Sequence, residues 1–341
     1  MNHYHSAILR AFGFEIESNV ALESIYAYAP VFRVANSDGF WIVKRTQSPL
    51  PRAQAIAAWT HSWTHSLAAF GISVVTLAVG FGDNPRVFQD DEGKEQAWVV
   101  YPFIAGELYQ GNTTQIRAAG DLLGKIHAAG RNQDFGLKQR DFVVTVEREE
   151  IEQDIKKVLH FLQQSFPHLV ADARAHLESQ AQRYFQQASP RLAITSLPVT
   201  NCSWDYKASN LVYHRSGPVL VDPDNGGRIP RAYDLAIAAL IFHNEGAGPG
   251  RVFTADEWQV FLEGYGEHVQ LNDIEKSWWE DILLCAWMDE ALWLLQDDET
   301  GWADPKQSEL LRSLLFADLT DFALHNPSSA SSELIPSPNR Q

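Results

Sequence analysis

The chain has 341 residues, long enough for one large or two modest domains and for a core that needs neither disulfides nor a structural metal. Its 27 Lys and Arg against 43 Asp and Glu leave a formal charge of −16, which argues against a general binder of nucleic-acid phosphates and against docking on an anionic membrane; such a surface attracts a positively charged small molecule. Hydrophobic residues at 45% and charged residues at 21% describe a globular chain, neither disordered nor fibrous overall.

The opening Met1-Asn2-His3-Tyr4-His5 has no basic segment leading into an apolar one, and no stretch approaches the ~20 apolar residues of a spanning helix, so a cytoplasmic protein is expected. Cys202 and Cys285 are too few for a disulfide framework and lack metal-ligand spacing; both are read as buried thiols.

Over the first hundred residues short β-type runs, at 24–29, 31–35, 40–44, 74–79 and 97–101, alternate with turn signals. Asn36-Ser37-Asp38-Gly39 is a hairpin turn, since Asp-Gly tolerates the positive φ of a tight reversal. One helix, 52–70, interrupts the strands and is closed by Gly71. From Ile104 onward the period becomes helical, at 115–129, along a charged stretch at 146–187, and at 256–268, 273–296 and 308–324. Only 201–229 breaks it, with apolar runs at 211–213 and 219–221 around a turn at 214–218. The expected fold class is α+β, with a small antiparallel sheet and one helix over 1–103 and a larger, mainly helical part over 104–325. The tail 326–341, rich in Ser, Pro and Asn, is expected to be disordered.

Two short patterns lack the context their chemistry requires. Gly80-Phe81-Gly82 runs into Asp83-Asn84-Pro85 and further β pattern, so no helix N-terminus is available for a pyrophosphate. His61 and His65 share a helical face, but the Glu that a zinc protease places after the first His is missing.

The informative segment is Cys202-Ser203-Trp204-Asp205-Tyr206-Lys207-Ala208-Ser209-Asn210, followed by a strand, a turn and Val219-Leu220-Val221-Asp222-Pro223-Asp224. An Asp, four residues, an Asn opening a strand, and an Asp ending the partner strand bring three oxygen-bearing side chains to one end of a hairpin. Hard oxygen ligands beside an unligated carboxylate suit Mg²⁺ and an attacking hydroxyl. Asp205 is then the residue that accepts or orients the hydroxyl proton, and Asn210 and Asp222 hold the metal. Taken singly, each is also a common turn former; the set together points to phosphoryl transfer.

From about Ser24 to Leu295 the chain resembles the aminoglycoside phosphotransferase and choline kinase family, whose Asp-x-x-x-x-Asn loop, apolar strand and Asp are matched by Asp205, Asn210 and Asp222. Tyr233-Asp234-Leu235-Ala236 resembles the helix start that buttresses the catalytic loop there. Leu122-Leu123-Gly124-Lys125-Ile126-His127 and Phe261-Leu262-Glu263-Gly264-Tyr265 resemble two further helices of the family. The resemblance implies a bilobal protein-kinase-like fold, with 1–103 as the nucleotide-binding lobe, 104–325 as the lobe carrying the catalytic loop and acceptor site, and ATP with Mg²⁺ as cofactors, GTP being left open. Lys44, ending the run Phe40-Trp41-Ile42-Val43, would contact the phosphates. Ala27 and Tyr28 fall where a phosphate-covering loop belongs, though without Gly, and Tyr101 and Phe103 where a hinge would offer backbone groups to a base.

The chain departs from the family at two places. Ser203 stands where the family has a His bracing the loop, and the helix 52–70 holds no Asp or Glu to pair with Lys44, leaving Gln54, Thr60 or His61 as hydrogen-bond partners, or Glu23 from elsewhere. In the family the acceptor lies between the catalytic loop and the second-lobe helices. Here 287–299 combines indoles with five carboxylates. Asp289, Glu290 and Trp293, with Trp204 and Asp224, therefore predict an acidic, aromatic site for an amine-bearing acceptor. A cationic antibiotic such as an aminoglycoside is the first expectation, making this a resistance enzyme. A metabolite such as choline or homoserine, or a catalytically silent binding relative, is the alternative, in a monomer or homodimer.

Overall fold

Strand alternation builds the first layer. In β1 (Val31–Asn36) Phe32 and Val34 are buried while Arg33 and Ala35 between them are exposed, as a half-covered strand requires. The computed structural model describes residues 3–15, 24–26, 29–46, 52–90, 92–131, 133–138, 147–193, 195–246, 248–297 and 301–324. Glu23, Ala27, Tyr28 and the tail 326–341 lie outside them.

β1 pairs antiparallel with β2 (Gly39–Arg45), and β4 (Glu95–Pro102) lies between β2 and β3 (Arg86–Gln89), giving the order β1-β2-β4-β3. The register sets Ile42 opposite Tyr101 and Lys44 opposite Val99, so these four share a face. On that face Ala57 of α2 (Arg52–Ala69) packs in one cluster with Val99, Tyr101 and Ile42. The opposite face, with Phe32, Val34, Val43, Trp98 and Val100, is covered by Ile8 and Leu9 from the helix α1 (His3–Ala11) and by Phe12 just after it.

That first helix is not expected from the sequence, where its apolar stripe is only three residues long. The run at 24–29 is not a strand among the described residues: Ser24 turns its hydroxyl on the Ala29 carbonyl at 2.7 Å. Nor does 74–79 join a sheet as a strand. Val75 N–H donates to Leu220 O at 2.9 Å and Ala78 N–H to Val100 O at 3.0 Å, so the segment bridges the two parts of the molecule.

The second part is built on α3 (Thr113–Ala129), capped by the Asn112 side chain, then α4 (Arg148–Ser165), α5 (Val170–Arg183) and α6 (Ser189–Leu192). The single helix expected at 146–187 is broken at Pro167, whose ring cannot continue an α-helical ladder. Two small antiparallel pairs follow. β5 (Val199–Cys202) joins β8 (Gly227–Pro230), a pairing the sequence did not announce, and β6 (Leu211–His214) joins β7 (Gly217–Leu220).

α7 (Arg231–Ile241) is buried along its whole length, as an all-round apolar helix must be. Beyond it lie α8 (Ala255–Gly266), α9 (Asp273–Ser277), α10 (Trp279–Ala286), α11 (Leu292–Leu294) and α12 (Pro305–Leu315). The helix expected at 273–296 is thus interrupted, at Trp278 and by a π turn over Trp287–Ala291. Cys202 and Cys285 are buried and unbonded to each other. No helix of the described residues is long and apolar enough to cross a membrane.

Candidate active site

The β5/β8 pair joins the two ends of the segment 203–226, and the β6/β7 hairpin lies within it. Asp205 stands at its centre, and Asn210, from the single 3₁₀ turn before β6, donates its amide to Asp205 Oδ2 at 3.1 Å and to the Asp205 carbonyl at 2.9 Å. Asn225 reaches Asp205 Oδ2 from the other strand end at 3.2 Å. Lys207 Nζ lies 3.3 Å from Asp205 Oδ1 and 2.8 Å from Glu245 Oε2. Burial pushes the Asp205 carboxyl above the usual carboxylate range; Lys207 opposes this, and Asp222 and Glu245 add to it.

The loop is braced from beneath by one carboxylate. Asp234, at the start of α7 and fully buried, accepts the backbone N–H of Ser203 at 3.2 Å and of Trp204 at 2.8 Å. Its partner on the other side is His127 Nε2 at 2.9 Å, whose Nδ1 is 2.9 Å from the Tyr265 hydroxyl. Ser203 contributes its backbone, while its buried Oγ finds no hydrogen-bond partner among the described residues. The bracing that the family gives to a His at this place is here carried by Asp234 and His127.

Lys44 comes from β2 to the same centre. Its Nζ is 2.5 Å from Asp222 Oδ1 and 2.8 Å from Asp224 Oδ2. Burial would lower the Lys44 ammonium, but the two carboxylates hold it above its ordinary value; conversely burial would raise Asp222, and Lys44 keeps it below the usual range. Asp224, expected beside the acceptor, is therefore placed elsewhere: its second oxygen accepts the Tyr101 hydroxyl. The Phe103 N–H, expected to face a base, is donated to Phe40 O at 3.0 Å, and Arg33 lies between the Phe40 and Phe103 rings at 4.3 Å from each.

Beside Asp205 opens a cavity of about 540 Å³ lined by Trp204, Asp205, Lys207, Glu245, Glu290 and Trp293, together with Asn225, Asn244, Ile241, Leu294, Gln296 and Asp297. The Trp204 indole N–H donates to Glu290 Oε1 at 2.6 Å, and burial pushes the Glu290 carboxyl up to about 7. Trp293 is 69% exposed at the rim. Asp289 does not line the cavity; it accepts the Tyr233 hydroxyl instead.

The sequence reading missed Lys207, Asn225 and Glu245. Lys207 was legible as a cation two residues past Asp205. Glu245 was not: it follows α7 in the left-handed region, φ 55°, and joins Lys207 to the Tyr26 hydroxyl of the small lobe, which lies 219 residues before Glu245.

Oxygen donors from Asp205, Asn210 and Asp222, a cation on the small sheet and an acidic cavity suit transfer of a phosphoryl group to a bound small molecule. Comparisons agree with that chemistry. No curated protein matches the sequence significantly. In fold, the chain is similar to the amicoumacin kinase hAmiN solved with AMP-PNP, Ca²⁺ and Ami (16% identity, 94% of each chain, TM-score 0.64). It is also similar to an aminoglycoside phosphotransferase from Alicyclobacillus acidocaldarius (16% identity, 89% of this chain and 91% of that one, TM-score 0.61). A microcompartment-associated aminopropanol kinase is a third such structure (12% identity, 91% and 94%, TM-score 0.58). At these identities the likeness speaks for the protein-kinase-like fold. The family model described as the phosphotransferase enzyme family matches residues 27–273, well over half of the sequence, and the chain belongs to that family.

Proposed function

We propose that this phosphotransferase transfers the γ-phosphoryl group of ATP to a hydroxyl of an amine-bearing small molecule. The observation that carries it is the placement of Asp205: held by Asn210 and Asn225, it lines the same cavity as Trp204, Glu290 and Trp293. Asp205 would take or orient the acceptor's proton, burial shifting its pKa upward, the direction that makes a carboxylate a stronger base. Lys207 keeps a positive charge beside it for the incoming phosphoryl oxygens.

The donor set fits a hard divalent cation such as Mg²⁺. Asn210 spends its amide N–H groups on Asp205, which leaves its oxygen to offer, and Asp222 stays ionised. When bound, the metal would neutralise nucleotide phosphate charge. Lys44 would bind the phosphates from the small sheet, with 1–103 as the nucleotide lobe and 104–325 as the acceptor lobe. The carboxylates of Asp205, Glu245, Glu290 and Asp297 around two indoles support a cationic acceptor, through charge and cation–π contact. Two of the similar structures are named for amine-bearing acceptors, aminopropanol and aminoglycosides. A cationic antibiotic is the first candidate, an amino alcohol metabolite the second.

The test is ATP turnover with Mg²⁺ across a panel of cationic antibiotics and amino alcohols, read by the gain of one phosphoryl group on the acceptor. Asp205→Ala should lose about 10²–10⁴-fold in kcat while nucleotide binding is kept. Near wild-type turnover in that variant would remove Asp205 from the chemistry.

A further inference from the structure

Helix α2 holds no acidic residue, and its buried face is Ala53, Ala57, Thr60, Trp63, Thr64 and Leu67. At the sheet it presents Ala57, packed with Val99 and Tyr101, the residues in register with Lys44 and Ile42. This helix therefore offers no carboxylate to the Lys44 ammonium. The chain nevertheless gives Lys44 two carboxylates, both from the segment after β7.

The two carboxylates differ. Asp222 is the more open, with 37% of its side chain exposed, and it is the one the proposed metal would claim. Asp224 is 20% exposed and held at both oxygens: Oδ2 faces Lys44 at 2.8 Å, and Oδ1 accepts the Tyr101 hydroxyl. Tyr101 is 3% exposed and sits on β4 beside the Lys44 strand, with the Lys44 ammonium 5.5 Å from its ring centroid. A carboxylate fixed at one oxygen by a buried phenol is a directed partner for the long side chain of a lysine.

Building on the kinase assignment, we infer that Asp224, fixed by Tyr101, is the positioning residue that aims Lys44 at the nucleotide polyphosphate, in place of the carboxylate that α2 lacks. Were Asp222 given to a metal, Lys44 would still have Asp224. Since Asp224 belongs to the helical lobe and Tyr101 to the sheet, Lys44 is set by the approach of the two lobes and not by the position of α2.

The measurement is ADP affinity by calorimetry with chelator present, so that no metal contributes, on wild type, Asp224→Asn, Tyr101→Phe, Lys44→Ala and the Lys44→Ala/Asp224→Asn double variant. On charge alone, removing a carboxylate beside a diphosphate tightens binding. Lost positioning does the opposite: Asp224→Asn should bind ADP roughly tenfold more weakly, the scale of one charge-assisted contact, and Tyr101→Phe less weakly but in the same direction. The double variant should be no weaker than Lys44→Ala alone, because Asp224 acts through Lys44. Equal or tighter ADP binding by Asp224→Asn, or a full further loss on adding it to Lys44→Ala, overturns the inference and leaves the kinase assignment standing. Wild type that binds no ADP overturns the nucleotide site itself. Tyr101→Phe leaves every charge in place, so it reads the same effect should Asp224→Asn not fold.

Discussion

Trp204 occupies the left-handed region, φ 60°, where a bulky residue costs about 1–3 kcal/mol unless its surroundings hold it there. They do so at both ends, its backbone N–H on Asp234 and its indole N–H on Glu290. Glu290 is the unusual partner. Burial pushes its carboxyl from 4.5 up to about 7, the Trp204 hydrogen bond opposes, and Asp289, Asp205 and Asp234 add to the rise. The folded chain therefore keeps a proton that the unfolded chain releases near 4.5. The stabilisation linked to that proton is fully present below about 4.5 and is lost as pH rises through 7. Glu290→Gln preserves the indole's acceptor and abolishes the titration. Between pH 5 and 8 the variant should gain stability over wild type by on the order of 2 kcal/mol, read as the growing gap between their urea midpoints. Parallel midpoint curves would mean that Glu290 is already ionised in the folded chain at pH 5.

At the scale of elements, the larger lobe depends on how closely α3 and α8 approach. A Cβ added at Gly120 would sit 2.0 Å from the Phe261 carbonyl oxygen, and one at Gly264 2.1 Å from that of Arg117; both obstacles are backbone. α3 carries His127, so the crossing also fixes the brace under the catalytic loop. Gly264→Ala should destabilise the fold by about 3 kcal/mol through overpacking, a lower melting temperature being the readout, whereas Gly266→Ala, with open space around its Cβ, should leave stability unchanged or raise it by up to about 1 kcal/mol, Ala being the better helix former. An equal loss at both positions would show that the close crossing does not set the penalty, since helix propensity alone favours Ala at each. The same elements show what was legible in the chain. β1, β2 and α3 declare themselves because alternation and helical period are local, and the Asp205, Asn210, Asp222 spacing is local too. α1 is nine residues with a short stripe, and β5 pairs with a strand 25 residues away, so neither leaves a local signature. Asp224 and Asp289 were misplaced for a related reason. The family resemblance together with local acidic composition put both in an acceptor site, yet their partners, Tyr101 and Tyr233, lie 123 and 56 residues distant, and only packing decides which way each carboxylate turns.

Across the whole molecule the charge of −16 is not neutral background for a cavity that already holds Asp205, Glu245, Glu290 and Asp297 against the single cation Lys207 among its lining residues. Lys207 is itself committed to Asp205 and Glu245, so the cavity's outward field is negative. Under the proposed function the nucleotide, an anion, would be met by Lys44 at the sheet, whose charge Asp222 and Asp224 compensate. Donor and acceptor thus respond to salt in different ways. A cationic acceptor is steered by a long-range field that ionic strength screens, the Debye length falling from about 30 Å at 0.01 M to about 8 Å at 0.15 M. With nucleotide saturating, kcat/KM for a multiply charged acceptor should fall by on the order of tenfold between these salt concentrations, while kcat, set by contacts made once the acceptor is bound, changes little. An uncharged hydroxyl compound turned over by the same enzyme should show a flat profile. If the charged and uncharged acceptors respond alike, the acidic surface serves solubility alone, and recognition of the acceptor falls to the short-range contacts of Trp204, Glu290 and Trp293.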